Sequence, residues 1–260
     1  MISIVKIGGN VVDNPVLLGR FCRDFAAMPG AKLLVHGGGV MASQIQKALG
    51  MEPLMIEGRR VTDEESLKVV TMVYAGWCNK HISALLQANG CNALGLAGCD
   101  ASVIKASRRA PKTLSDGKTV VDYGYVGDVG PESVKAEFLR LLLDKGIVPV
   151  LCAINHDGEG NLLNTNADTI SSSVAAALGG RLVYCFEKKG VLSDVNDPGS
   201  VIPHIDKASY AALKASGVVA AGMIPKIDNA FAALENGACS VVIKHSEDIL
   251  AESAGTTFSL

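Results

Sequence analysis

The chain reads as an α/β fold built on a mainly parallel, doubly wound sheet. Three observations carry that reading. Short apolar runs alternate with helical patterns along the 260 residues, the order expected of strand–helix–strand units. Hydrophobic residues make up 48% and charged residues 19%, with a mean hydropathy of +0.29; strands covered by helices on both faces account for such apolarity. Several of the apolar runs end in glycine, as strands turning into helices do.

The first strand, residues 2–7, ends in Lys6-Ile7-Gly8-Gly9-Asn10, and a helical pattern follows over 16–28. The second, residues 33–35, ends in His36-Gly37-Gly38-Gly39 and opens a helix over 40–49. Glycine lets the backbone approach a ligand closely. N–H groups there, and at the start of the following helix, make an anion site. Two such loops, with a lysine on the first, predict a grip on a phosphoryl group in transfer. Either cluster alone also fits a plain strand-to-helix turn.

Thr62-Asp63-Glu64-Glu65 reads as a capping box for a helix over 64–86, with the Thr62 hydroxyl taking an N–H of the first turn. Leu67, Val70, Tyr74 and Trp77 form a stripe on it at spacings of three and four. The stripe reads as core, with a subunit interface as the alternative because the only tryptophan ends it. Short strands follow over 93–96 and 103–106. Residues 119–128 alternate apolar and polar around Tyr123-Gly124 and read as an antiparallel hairpin, either a sheet edge or a flap over a ligand. The alternation then resumes, with helices over 132–144, 169–178 and 226–236 and strands over 147–152, 182–186 and 240–243. No linker or fixed-period repeat divides the chain. The natural internal boundary lies near Asn166–Asp168, giving parts 1–168 and 169–260.

The apolar runs fall far short of the roughly 18 residues of a membrane span. The N-terminus enters a strand directly, without the basic start or cleavage site of a signal peptide. A net charge of −2 and a pI near 6.2 carry no nucleic-acid footprint. Seven cysteines without CxxC or His-rich spacing read as buried reduced thiols of a cytoplasmic protein.

In the second half, Asn164-Thr165-Asn166-Ala167-Asp168 precedes a helix. One such residue caps a helix; three at alternate positions of an extended stretch face one site. Gly222-Met223-Ile224-Pro225-Lys226 starts another helix with a lysine in its first turn. The helix dipole disfavours a cation there, and an anionic ligand would reverse that cost. The alternative is a solvated lysine.

Taken together these motifs resemble the amino-acid kinase family, and within it the acylglutamate kinases. The resemblance spans the chain: Lys6-Ile7-Gly8-Gly9, His36-Gly37-Gly38-Gly39, Gly58-Arg59-Arg60-Val61-Thr62, Val121-Asp122-Tyr123-Gly124-Tyr125-Val126-Gly127, Asn164-Thr165-Asn166-Ala167-Asp168 and Gly222-Met223-Ile224-Pro225-Lys226. It implies a three-layer αβα sandwich, with the acyl amino acid on lobe 1–168 and ATP on lobe 169–260. The implied reaction moves the ATP γ-phosphate to the side-chain carboxylate of an N-acylglutamate, N-acetyl-L-glutamate foremost, as in arginine biosynthesis. The resemblance makes Lys6, Lys226 and Asp168 catalytic, with Asp168 orienting both ammonium groups. It places Gly8, Gly9, Gly38 and Gly39 on phosphate oxygens, and Arg60 and Asn164, with Gly38 and Gly39, on the acylglutamate. Glu187, Lys188, Lys189, Gly190, Val191, Leu192, Val218, Val219 and Ala220 then flank the nucleotide. Mg²⁺ rides on the ATP phosphates without a direct protein ligand, and Arg59 is a solvated neighbour.

Two stretches depart from the family pattern. Phe186-Glu187-Lys188-Lys189-Gly190-Val191 stands where the family has Thr/Ser-Asp-Val-x-Gly-Val, and Cys99 stands where many relatives have lysine. The chain also starts at the first strand, without the N-terminal helix of arginine-inhibited hexamers, which implies an arginine-insensitive homodimer. The competing readings are an N-succinylglutamate kinase, another small-molecule kinase of this fold, and a non-catalytic ligand sensor.

Overall fold

Strand β1 (Ser3–Ile7) is paired along both edges, and Ile4, Val5 and Ile7 are fully buried. A run so apolar belongs in the middle of a covered sheet. The computed structural model describes residues 1–114, 116–219 and 223–260. Around β1 stand β2 (Lys32–His36), β3 (Ala93–Leu96), β4 (Val148–Leu151), β5 (Arg181–Phe186), β6 (His204–Ile205), β7 (Ser240–His245) and β8 (Thr256–Phe258). They form one eight-stranded sheet in the order β6-β8-β7-β5-β1-β2-β4-β3. Every pair in it is parallel except β7 with β8. The mainly parallel α/β sheet expected from the sequence is therefore what forms.

The helices are α1 (Gly9–Val12), α2 (Pro15–Ala27), α3 (Gly39–Ala48), α4 (Glu64–Thr71), α5 (Asn79–Ala88), α6 (Ala136–Asp144), α7 (Ala167–Leu178), α8 (Lys207–Ala215) and α9 (Ile224–Glu235). They pack in groups, α2 with α5 and α7 with α6 and α9. Chain order leads from β1 outward to β2, and from β5 outward the other way to β7. The switch lies between β1 and β5, whose carboxyl ends hold Lys6 and Phe186. A crevice opens at such a point, and ligands of open α/β sheets bind there.

Four local readings need correction. Residues 119–128 do not pair with one another. Val120–Val121 pairs with Lys112–Thr113, and Gly127–Asp128 with Ser107–Arg108. The alternating pattern was real, but its partner is the preceding segment. Residues 103–106 make only single bridges, Ile104 to Val134 and Lys105 to His156. The cap of α4 is Asp63, whose side chain accepts the Ser66 N–H at 2.8 Å. Thr62 is instead fully buried, its backbone bonded to Tyr123 and Tyr125. The helix over 64–86 is continuous but carries a π-helical segment, Met72–Cys78, between α4 and α5. Its stripe divides: Val70 and Tyr74 are core, whereas Trp77 is 59% exposed and meets the His81 ring in a tilted contact.

Candidate active site

Lys6 Nζ lies 2.7 Å from Asp168 Oδ1, with side chains 12% and 19% exposed. The pair joins elements 162 residues apart, since 168 − 6 = 162: β1 brings the lysine and the first turn of α7 the carboxylate. Asn166 caps α7, accepting the Asp168 N–H at 2.7 Å, which fixes the backbone beneath Asp168. Burial pushes the Asp168 carboxyl up, but the ammonium groups of Lys6 and Lys226 outweigh it and hold it below its ordinary value. Asp168 is thus an anion poised between two cations. Only Lys6 is in bonding contact. The symmetric bridge from Asp168 to both lysines is not seen, because Lys226 lies across Phe186, its Nζ 4.6 Å from the ring centroid.

Gly8, Gly9, Gly37, Gly38 and Gly39 line the same cleft. Close packing requires glycine at position 38 and leaves position 9 crowded. A Cβ on Gly38 would sit 2.9 Å from Tyr74 Cδ1 and 3.1 Å from Cys78 Sγ; one on Gly9 would meet Asp13 Oδ2 at 3.3 Å. Both loops lead into helix N-termini, α1 and α3, so their N–H groups suit an anion. Behind the second loop, His36 is fully buried. Its Nδ1 is 2.8 Å from the Gly37 carbonyl, and its Nε2 is 3.0 Å from Asn79 Nδ2.

Burial lowers the His36 pKa from 6.5 to about 4. Between those values the unfolded chain binds a proton that the folded chain does not. Stability should therefore fall as the pH is lowered through that window, by about 3 kcal/mol at most. Urea midpoints at pH 7, 6 and 5 should decline more steeply for the parent chain than for His36→Asn. Equal slopes would remove His36 as a source of the acid sensitivity.

Arg60 is 8% exposed and anchored. Its Nη2 donates to the Gly39 carbonyl at 3.0 Å and to Ser43 Oγ at 2.7 Å, and its Nη1 donates to Gln46. A guanidinium has five N–H donors, so part of the fork remains for a ligand in the cleft. Asn164 lies at the end of the short strand Leu162–Asn164, and its Nδ2 donates to Thr62 Oγ1 at 3.1 Å. Both side chains line the cleft with Lys6 and Asp168. Arg60→Ala should raise the KM of a carboxylate substrate by tenfold or more, on the order of one charged hydrogen bond. Arg60→Lys should not restore it, because an ammonium cannot reproduce the planar fork. Unchanged KM in the alanine variant would take Arg60 out of the site.

On the β5 side a second, more apolar hollow is lined by Phe186, Glu187, Lys188, Gly190, Val191, Leu192, Val218, Val219 and Lys226. A bridging hollow shares Lys6, Gly8, Gly9 and Arg60 with the first and Phe186, Glu187 and Lys226 with the second, so one cleft runs across the switch point. Lys189 is not among the lining residues. Ala220, and Gly222 of the last motif, lie outside the described residues.

The sequence reading missed Tyr74, Arg59 and Arg109, all of which line the first hollow. In sequence Tyr74 reads as one member of the helical stripe and Arg59 as a solvated neighbour of Arg60. Arg109 sits over Tyr123, 5.6 Å from its centroid, and its Nε donates to Asp128 at 3.0 Å. Its neighbour Arg108 sits over Tyr125, 4.8 Å from its centroid, and the adjacent arginines Arg108-Arg109 ahead of Tyr123-Gly124-Tyr125 were the available signal.

A sequence model of the Amino acid kinase family matches residues 1–245. A protein of Cytophaga hutchinsonii named acetylglutamate kinase is 50% identical over 251 residues, covering 95% of this chain and 92% of its own. The acetylglutamate kinase of Phocaeicola vulgatus is 49% identical over 259 residues, covering 98% of this chain and 97% of its own. Among solved structures, N-acetylglutamate synthase from Neisseria gonorrhoeae, complexed with coenzyme A and N-acetyl-glutamate, superposes with a TM-score of 0.81 at 23% identity. It covers 100% of this chain, which spans 59% of that longer protein. The match along nearly the whole sequence, the shared sheet and the lysine–aspartate pair between two glycine loops agree: the chain belongs to the amino acid kinase family.

Proposed function

We propose that this chain transfers the γ-phosphate of ATP to the side-chain carboxylate of N-acetyl-L-glutamate, giving N-acetylglutamyl 5-phosphate, a step of arginine biosynthesis. The observation that carries the proposal is the Lys6–Asp168 pair at 2.7 Å, set between two glycine loops and a second lysine in one continuous cleft. The nucleophile is already a carboxylate, so the chemistry needs in-line placement and charge neutralisation more than a base. Lys6 and Lys226 hold the transferring group from opposite sides, and Asp168 positions Lys6 through a charge-assisted bond. N–H groups of Gly8, Gly9, Gly38 and Gly39 meet its equatorial oxygens. Arg60 and Asn164 take the acylglutamate.

The nucleotide occupies the hollow of Phe186, Glu187, Lys188, Gly190, Val191, Leu192, Val218 and Val219, whose apolar walls suit a base. Lobe 1–168 thus serves the acyl amino acid and lobe 169–260 the nucleotide. Among the described residues no group of three His, Cys, Asp or Glu is placed to hold a metal, and Asp168 is engaged by Lys6. Mg²⁺ fits as a companion of the ATP phosphates, its shell completed by water. No helix among the described residues is long and apolar enough to cross a membrane. The seven cysteines are all free thiols, five of them buried as expected but Cys99 and Cys239 exposed, and unpaired thiols suit a cytoplasmic setting.

A coupled ADP-release assay with N-acetylglutamate, N-succinylglutamate, glutamate and aspartate tests the reading. Turnover of none of them defeats it. One observation favours a second substrate, N-succinylglutamate: Arg59 and Arg109 line the hollow beside Arg60, where a further carboxylate on the acyl arm would meet them. A preference for the succinyl substrate that is lost in Arg109→Ala would establish it.

The exposed Met72 and Trp77 on one helix fit a two-fold homodimer, which needs a single self-complementary patch. Light scattering should give twice the 27.0 kDa chain mass, and Trp77→Glu should shift it to the monomer. A parent monomer or hexamer would rule the dimer out.

A further inference from the structure

We infer that His36 and Asn79 are positioning residues that aim the Gly38 N–H into the cleft, through a buried chain of hydrogen bonds ending on the Gly37 carbonyl. This rests on the reading of that loop as a cradle for the transferring phosphoryl. His36 stands at the end of β2 and Asn79 at the start of α5, and both are buried.

Hydrogen-bond logic fixes the whole chain. The Val150 carbonyl can only accept, so the Asn79 atom 2.9 Å from it is the amide nitrogen. Lys80 Nζ, 3.2 Å from Asn79 Oδ1, fixes the other end of the amide. The second hydrogen of that nitrogen points to His36 Nε2 at 3.0 Å, which must then be the lone-pair nitrogen. Nδ1 therefore carries the ring proton and donates it to the Gly37 carbonyl at 2.8 Å. Asn79 is itself confined, because Gly95 on β3 leaves room for its Oδ1 that any Cβ would fill.

The consequence appears one atom further on. In a trans peptide the carbonyl of one residue and the N–H of the next point in opposite directions. Pulling the Gly37 carbonyl back onto His36 turns the Gly38 N–H the other way, towards the cleft that Gly37, Gly38 and Gly39 line. A free glycine run would spread that N–H over many directions. A donor fixed before the reaction costs no reorganisation when charge develops. Burial lowers the His36 pKa, and the Lys80 ammonium lowers it further, so the ring stays a neutral single donor at working pH. His36 touches no substrate on this account; its effect is exerted through the backbone.

The test separates aim from bulk. His36→Asn places an amide nitrogen near the Nδ1 position, and His36→Gln places one near Nε2. Both cut the ring from the core, so their thermal midpoints should be close. The Asn variant should keep kcat within about threefold of the parent, and the Gln variant should lose on the order of tenfold to a hundredfold. KM for N-acetylglutamate should stay within a few-fold in both. Equal kcat in the two variants at matched stability would overturn the inference. If either variant fails to fold, ¹⁵N NMR of the parent chain decides. An Nδ1–H, unprotonated-Nε2 signature for His36 between pH 6 and 8 supports the chain of bonds, and an Nε2–H or doubly protonated ring refutes it. A parent chain without activity on any acylglutamate would defeat the phosphoryl-transfer reading instead, and the tautomer measurement needs no substrate.

Discussion

Lys6→Ala should lower kcat by about a hundredfold or more while leaving the acylglutamate Kd within a few-fold. The lysine projects from the end of β1, held 2.7 Å from Asp168, at the rim of both glycine loops. Charge accumulates on the transferring phosphoryl and its acceptor oxygen only as the bond is exchanged, so the loss falls on the transition state. The acylglutamate keeps Arg60 and Asn164, so its ground-state binding is little changed. The alanine variant should also be less stable, because the Asp168 carboxylate is left in a buried place with Lys226 as its remaining counter-charge, at a cost of about 3 kcal/mol. Lys6→Met, which retains the bulk, separates packing from charge. Steady-state kinetics of both variants would show near-parent kcat if Lys6 were only a structural partner of Asp168.

Asp168→Asn should reduce kcat by a similar factor, for a different reason. The amide keeps the shape and removes the charge that balances two ammonium groups, so Lys6 is freed to move away from Lys226. A carboxylate nucleophile has no proton to surrender, and small exogenous bases should restore nothing. Recovery of rate on adding a neutral base such as imidazole, which brings no negative charge, would identify Asp168 as a general base and overturn its assignment as an organiser of charge. A stability effect accompanies the kinetic one. The folded Asp168 carboxyl ionises below its ordinary value, so its contribution is present above the unfolded pKa and fades as the pH falls through the folded one. The parent should be the more stable chain at neutral pH, and the two should converge in strong acid.

The sheet was legible because its strands are short, apolar and punctuated by glycine, and the helices between them are long enough to show a period. α1, α8, β6 and β8 are too short or too exposed to do so. The pairing of 107–128 was not legible, since alternation marks a strand without naming its partner. Thr62-Asp63 offers two adjacent caps. Which one serves is decided by burial of Thr62 against Asn164 and the Tyr123 turn, contacts far away in sequence. The glycine loops, Asp168 and Arg60 were readable as site residues from their motifs, and the structure brings them into one cleft. That Asp168 bonds Lys6 alone was not readable, because it depends on where Phe186 seats Lys226. His36 stood in a motif, but its role was hidden because its partner Asn79, an asparagine inside a helix 43 residues away, carries no local pattern.

The π-helical segment Met72–Cys78 gives the helix through residues 64–88 an unusual tolerance of length. A widened turn of this kind absorbs a surplus residue while the α-helical turns on either side keep their faces. Loss of one residue from the segment would therefore leave the Asp63 cap and Asn79 at their stations. What would shift is the wall formed by Tyr74 and Cys78, the two side chains that leave no room for a Cβ at position 38. A deletion in one helix and a larger residue in a distant loop would then be paired changes, each harmful alone and each relieving the other. Among homologues of varied length, the identity of residue 38 would follow the number of residues in that turn.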